Sequence, residues 1–232
     1  MDKLAEGLTW YFAFIFSIVM HEASHAYTAM RLGDNTAYNE GHVTLNPLPH
    51  IKREYIGTIV VPIFSFLASG WMIGWASVPY DRDWARRHPD RSAWMSLSGP
   101  AANLVIVLVC AALIRIGMAF DIFFPPETLN FSHIIEAVNP GVFSSVATFI
   151  SIMFSLNLVL FFFNLLPVPP LDGSGVVPLL LGKDKAVSYL DFIENTQFMF
   201  FGLLIAWKVF DYVFDPIHLA CINLLYPGFG YH

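Results

Sequence analysis

The sequence predicts an all-α polytopic membrane protein with about four spanning helices, a re-entrant apolar segment and a short β-hairpin on the cytoplasmic side. Two observations predict it. Of 232 residues, 56% are hydrophobic and 13% charged, about half the charge density of a typical soluble domain, so a water-soluble surface is excluded. Five apolar stretches, 8–32, 55–78, 94–120, 142–166 and 198–214, are each near or above the ~20 residues needed to cross about 30 Å of hydrocarbon. The net charge of −6, with only 12 Lys and Arg, argues against a nucleic-acid partner, which requires clustered cations. Cys110 and Cys221 are too few and too far apart for a disulfide framework or a thiolate cage.

The first stretch is too long for a signal peptide and no small-residue cleavage site follows it, so it is expected to remain in the mature protein. The second is turn-rich, with Pro62, Gly70, Gly74 and Pro79, which suits a segment that dips in and returns. Charge supports that choice. If 55–78 returns to its own side, Arg31, Lys52, Arg53, Arg82, Arg86, Arg87, Arg91, Lys183 and Lys185 share one face, nine of the twelve basic residues. The 121–141 loop on the other face has Asp121, Glu127 and Glu136 and no Lys or Arg. The positive-inside rule makes the basic face cytoplasmic and places both termini outside. Full crossing would split the nine as three and six, a weaker bias.

The third stretch opens on Ser98-Gly99-Pro100, readable as a helix entrance with close packing at Gly99 or as part of a water path. The fourth ends in prolines and a polar turn, and the fifth precedes an expected interfacial helix over 216–226 with Tyr226 and Phe229 as anchors. Residues 37–46 alternate enough to suggest a hairpin or edge strand on the cytoplasmic side, able to pair with an unwound substrate; an ordinary interfacial loop is the other reading. No internal repeat or appended soluble domain is visible. The chain is read as one membrane-embedded domain, 1–232, with its core at 8–181 and a C-terminal helix and interfacial segment at 196–232.

Inside the first stretch lies His21-Glu22-Ala23-Ser24-His25. On a helix the two histidines fall one turn apart on one face, where both imidazoles reach one metal ion while Glu22 stands beside it to take a proton from water. From 8 His and 7 Glu, about 0.008 such matches are expected by chance. A carboxylate in mid-membrane costs roughly 2.5–3.5 kcal/mol, so its presence points to function. A catalytic zinc generally takes three protein ligands and a water. The fourth stretch is followed at once by Pro167-Val168-Pro169-Pro170-Leu171-Asp172-Gly173. Asp172 as a loop acid or helix cap is the plain alternative. A returning 55–78 segment, however, makes the first and fourth stretches parallel and brings Asp172 to the side of His21 and His25. His42 and His50 are read as interfacial histidines, less suited to be spare metal ligands.

Together with Asn46-Pro47-Leu48, Gly74-Trp75-Ala76-Ser77-Val78-Pro79, Ser98-Gly99-Pro100-Ala101-Ala102-Asn103 and Asn164-Leu165-Leu166-Pro167, these motifs resemble the site-2 protease family of intramembrane zinc metalloproteases, over roughly residues 14–181. The resemblance implies one zinc per chain held by His21, His25 and Asp172, Glu22 as general base, and Asn164 in an oxyanion or substrate-positioning role. It also implies a substrate that is the transmembrane helix of another protein, cleaved within the lipid bilayer of a prokaryotic cytoplasmic (inner) membrane, with the active site toward the cytoplasm. No PDZ or CBS domain is visible, which fits the minimal subgroup; Lys52 departs from the acid that related sequences often carry there. The oligomeric state is not readable. The competing readings are an inactive relative that binds or regulates in the membrane and a divalent-metal transporter. Against the transporter stand the single ligand set and the lack of repeated halves.

Overall fold

The computed structural model describes residues 3–193 and 196–231. Helix α1, Lys3–Leu32, is 30 residues long, about 45 Å. Its exposed Leu4, Leu8, Phe12 and Phe16 fall on one i, i+4 stripe suited to lipid, and its buried face includes Trp10, Phe14 and Ile18. The helix ends at Gly33, whose φ of 107° is costly for any residue with a Cβ. Gly33 N–H donates to Met30 O at 3.3 Å and Asp34 N–H to Ala29 O at 2.9 Å, satisfying two terminal carbonyls.

Asp34 directs the next segment. Its buried carboxylate accepts from Thr36 N–H at 2.9 Å and Thr36 Oγ1 at 2.6 Å, starting the one-turn helix α2, Thr36–Asn39. Residues 37–46 are therefore a helical turn followed by bends, and the cytoplasmic hairpin expected there does not form. Local side-chain capping outcompetes a weak alternation that has no partner strand. Helix α3, Pro47–Arg53, comes after the bends, with Asn46 accepting Leu48 N–H as its cap.

A π-helical turn, Ile56–Val60, leads into α4, Val61–Ser69. This apolar helix, Ile56–Ser69 in all, covers only about 21 Å. Gly70, at φ 79°, stops it, and the chain returns through residues 71–80 without helix or strand. Trp75 N–H donates to Gly57 O at 3.1 Å. A Cβ on Gly74 would stand 2.2 Å from Gly57 O, and one on Gly57 2.3 Å from Trp75 O, so two glycines allow the descending and returning arms to touch. The stretch 55–78 thus doubles back, as its turn residues suggest. The return is pinned by Ser77 Oγ donating to Glu54 (2.7 Å) and Asp81 N–H donating to Asp34 (2.9 Å).

Helix α5, Arg82–Arg87, and the 31-residue α6, Pro89–Ala119, come next. Helix α6 runs antiparallel to α1: Arg91 bonds Leu32 O, His25 meets Met95, and His21 meets Asn103. The loop beyond it holds β1, Phe123–Phe124, paired antiparallel with β2, Glu136–Ala137. Helix α7, Val142–Asn164, runs parallel to α1, since Phe12 packs on Phe149 and Ser17 on Asn157. After it come α8, Asp172–Val176, a 3-10 turn, Val177–Leu180, α9, Lys183–Ile193, and α10, Thr196–Leu225. Helix α10 continues through Pro216 instead of breaking into the separate interfacial helix expected at 216–226. Its C-terminal end is tied down by Arg115 donating to Leu225 O and Tyr226 donating to Ile134 O.

Among the described residues three helices, α1, α6 and α7, are long and apolar enough to cross a membrane, with Tyr212–Leu225 a shorter apolar segment. The core lies between the three, around Phe14, Ile18, Ile106, Ile114, Ile152 and Leu156. Alternating directions in α1, α6 and α7 put residues 83 and 127 at opposite ends of α6. Cysteines introduced there, in a chain lacking Cys110 and Cys221, are expected to react with an impermeant maleimide from opposite sides of the membrane. Labelling of both from one side would contradict this arrangement.

Candidate metal centre

His21, Glu22 and His25 lie on the buried face of α1, and Asp172 opens α8 after the proline-rich turn. The ligand atoms of His21, His25 and Asp172 lie within 4.8 Å of one another. His21 Nε2 stands 2.9 Å from Asp172 Oδ2, and His25 Nε2 stands 3.3 Å from Asp172 Oδ1. The two Nε2 atoms are 3.0 Å apart.

Hydrogen bonds behind the rings fix which nitrogens are free. His25 Nδ1 lies 2.7 Å from Met95 O; a carbonyl can only accept, so Nδ1 donates. His21 Nδ1 lies 2.6 Å from Asn103 Oδ1, Asn103 Nδ2 donates to Asn157 Oδ1 at 2.8 Å, and Asn157 Nδ2 donates to Met153 O and Ser17 Oγ, both at 2.8 Å. The carbonyl at the end of this chain sets the direction of every bond in it. Asn157 must donate to Met153 O, which turns its oxygen toward Asn103, which in turn presents its oxygen to His21. In the neutral rings both Nε2 atoms are therefore bare lone pairs, meeting a carboxylate.

With both rings neutral, three electron-pair donors converge, and Asp172 Oδ2 is buried against His21 Nε2. One cation satisfies all three. Two imidazole nitrogens and a carboxylate suit zinc and leave a fourth tetrahedral position open. Space is kept for it on the α6 side by Gly99, where a Cβ would lie 2.3 Å from His25 Nε2 and 2.6 Å from His21 Nε2. The residues present fit the metal.

Glu22, His25 and Asp172 line one cleft of about 350 Å³, whose other wall includes Ala76, Ser77, Val78 and Pro79 of the returning arm. Asn164, the last residue of α7, is half-buried, donates to Leu160 O at 3.0 Å, and is not among the residues lining this cleft. Sequence reasoning misses Asn157, Ser17 and the orienting role of Asn103. A signal is present: Asn157 and Ser17 are polar residues in the middle of apolar helices, and both are fully buried. Ser98-Gly99-Pro100 is not a helix entrance, because α6 starts at Pro89 and runs through Pro100; the close packing expected at Gly99 is present, against His21 and His25.

Orientation of His21 depends on Asn157 through Asn103. Asn157→Leu, which removes the bond yet keeps the volume, is expected to weaken zinc binding by roughly 10–100-fold, read by competition with a chromophoric chelator. Unchanged affinity would contradict the orienting chain.

The chain matches peptidase family M50 over residues 9–206. It is 31% identical over 204 residues to "Putative zinc metalloprotease YwhC" of Bacillus subtilis, covering 88% of this chain and 82% of that protein. It is 31% identical over 163 residues to "Putative zinc metalloprotease Rip2" of Mycolicibacterium smegmatis, covering 70% of this chain and 53% of that protein. With the Mycobacterium tuberculosis Rip2 it shares 28% identity over 162 residues, or 52% of that protein, so it spans about half the length of the Rip2 relatives. No solved structure matches the chain with significance. On the extent of that family match, and with a two-histidine, one-carboxylate centre on adjacent helices, the chain belongs to peptidase family M50, the site-2 protease family.

Proposed function

We propose that this chain is an intramembrane zinc metalloprotease that cuts a peptide bond within or beside the transmembrane helix of a membrane-protein substrate, with its active site toward the cytoplasmic face. The observation that carries the reading is the position of Glu22. It is 6% exposed, it sits in an apolar helix where a carboxylate is costly, and it lines the same cleft as His25 and Asp172.

His21, His25 and Asp172 would hold the zinc, which supplies Lewis acidity toward the scissile carbonyl and makes a bound water more acidic. Glu22 takes the proton from the attacking water and passes it to the leaving amine nitrogen as the peptide bond breaks. Asn164 is the proposed donor to the developing oxyanion, for which its amide must rotate away from Leu160 O. A helical peptide bond is shielded by its own hydrogen bonds, so the substrate must be extended before attack. The returning arm suits an extended substrate. Beyond Trp75 N–H, which bonds Gly57 O, residues 76–78 pair with no other backbone among the described residues and run along the cleft wall. A substrate strand laid against them would gain main-chain hydrogen bonds next to Glu22. Alternation in the sequence suggests residues 37–46 for this role; the geometry favours 76–78.

Glu22→Gln keeps size and hydrogen bonding but cannot accept the proton. It is expected to retain its zinc while cleaving a single-span substrate slower by on the order of 10²–10⁴. Glycine or proline placed near the middle of the substrate span is expected to speed cleavage by the unaltered enzyme, because opening the backbone is part of the barrier. Cleavage by Glu22→Gln at the original rate, with metal in place, rules the protease reading out.

A further inference from the structure

A second pair of histidines lies outside the triad. His42 is 4% exposed and His50 is fully buried; their ring centroids are 5.2 Å apart with the planes at 63°. Each ring has its Nε2 turned toward an oxygen. His50 Nε2 is 3.2 Å from Thr44 O, an acceptor only, so that nitrogen carries the hydrogen. His42 Nε2 faces the Glu40 carboxylate at 4.0 Å. The other nitrogen of each ring, Nδ1, is shielded from solvent and has no hydrogen-bond partner. Two buried ring nitrogens on neighbouring imidazoles, that of His50 a lone pair, thus have no hydrogen-bond partner, a rare condition in a folded protein.

The geometry points to a second divalent-cation site, held by Nδ1 of His42 and Nδ1 of His50, separate from the His21–His25–Asp172 centre. The ring spacing fits: two imidazoles bound to one tetrahedral ion through nitrogen at about 2.0–2.1 Å place their centroids roughly 5 Å apart. Imidazole donors select a borderline ion such as zinc, copper or nickel over magnesium or calcium. With two protein ligands the remaining positions fall to water, so this ion binds more weakly than the one at the three-ligand centre and is filled only when metal is added. The site staples the loop after α2 to α3, which packs on α1. An ion here would sit on the segment that joins α1 to the re-entrant arm.

The test is a zinc titration of the purified full chain, stripped with chelator and followed by equilibrium dialysis, with Co²⁺ absorption as a second readout. The unaltered chain is expected to bind two equivalents, one tight and one at least tenfold weaker. Asp172→Ala should keep the weak equivalent. The double variant His42→Gln, His50→Gln should keep only the tight one. Saturation of the unaltered chain at one equivalent, a measurement that needs no variant, overturns the proposal. So does a weak equivalent that persists undiminished in the double variant. Neither result bears on the Glu22 chemistry, which rests on the tight site.

Discussion

The rest of the structure turns on one electrostatic constraint, the placing of two bare imidazole nitrogens and a carboxylate against each other inside an apolar helix bundle. Such donors repel, and burying them without a cation is unfavourable. The fold meets the constraint from behind. Each Nδ1 is committed to an acceptor whose identity cannot vary, Met95 O for His25 and the Asn103–Asn157 chain ending on Met153 O for His21. A backbone carbonyl at each end leaves no freedom of tautomer, so both Nε2 atoms are presented forward. Gly99 then leaves the hollow into which they point.

The third donor depends on a feature far from it in sequence. Asp172 reaches the centre only because α7 is parallel to α1, and α7 is parallel only because residues 55–78 return to the end from which they start. That return rests on small things: Gly70 in a left-handed conformation, Gly57 and Gly74 in backbone contact, and Asp34 holding the far end of the arm. The same arm forms a wall of the cleft. Topology and one wall of the cleft thus depend on the same returning segment.

Much of this is legible in the residues. The His21-Glu22-Ala23-Ser24-His25 spacing fixes two donors and their neighbour through helix periodicity alone, and the segregation of basic residues favours a returning second stretch. Asp172 requires both. Residues 37–46 show where such reading fails: alternation suggests a strand, but the deciding interaction is Asp34 gripping Thr36, a contact that alternation does not register. The short strands that do form, Phe123–Phe124 and Glu136–Ala137, are two residues each, too brief to leave a pattern. Asn164 belongs to a motif and so stands out, whereas Asn157, one heptad earlier on the same helix, has only the simpler signal of a polar residue buried among apolar ones. The left-handed stop at Gly33 and the uninterrupted passage of α10 through Pro216 likewise depend on packing and end contacts outside the local sequence.

The central claim is that His21, His25 and Asp172 together hold one zinc with a position left open. Zinc-edge X-ray absorption of the purified chain, without added metal, tests it most directly. The account predicts four light scatterers at about 2.0–2.1 Å, with the outer-shell signature of two imidazoles and no sulfur. A sulfur shell near 2.3 Å, or a signal from fewer than two imidazoles, would contradict it.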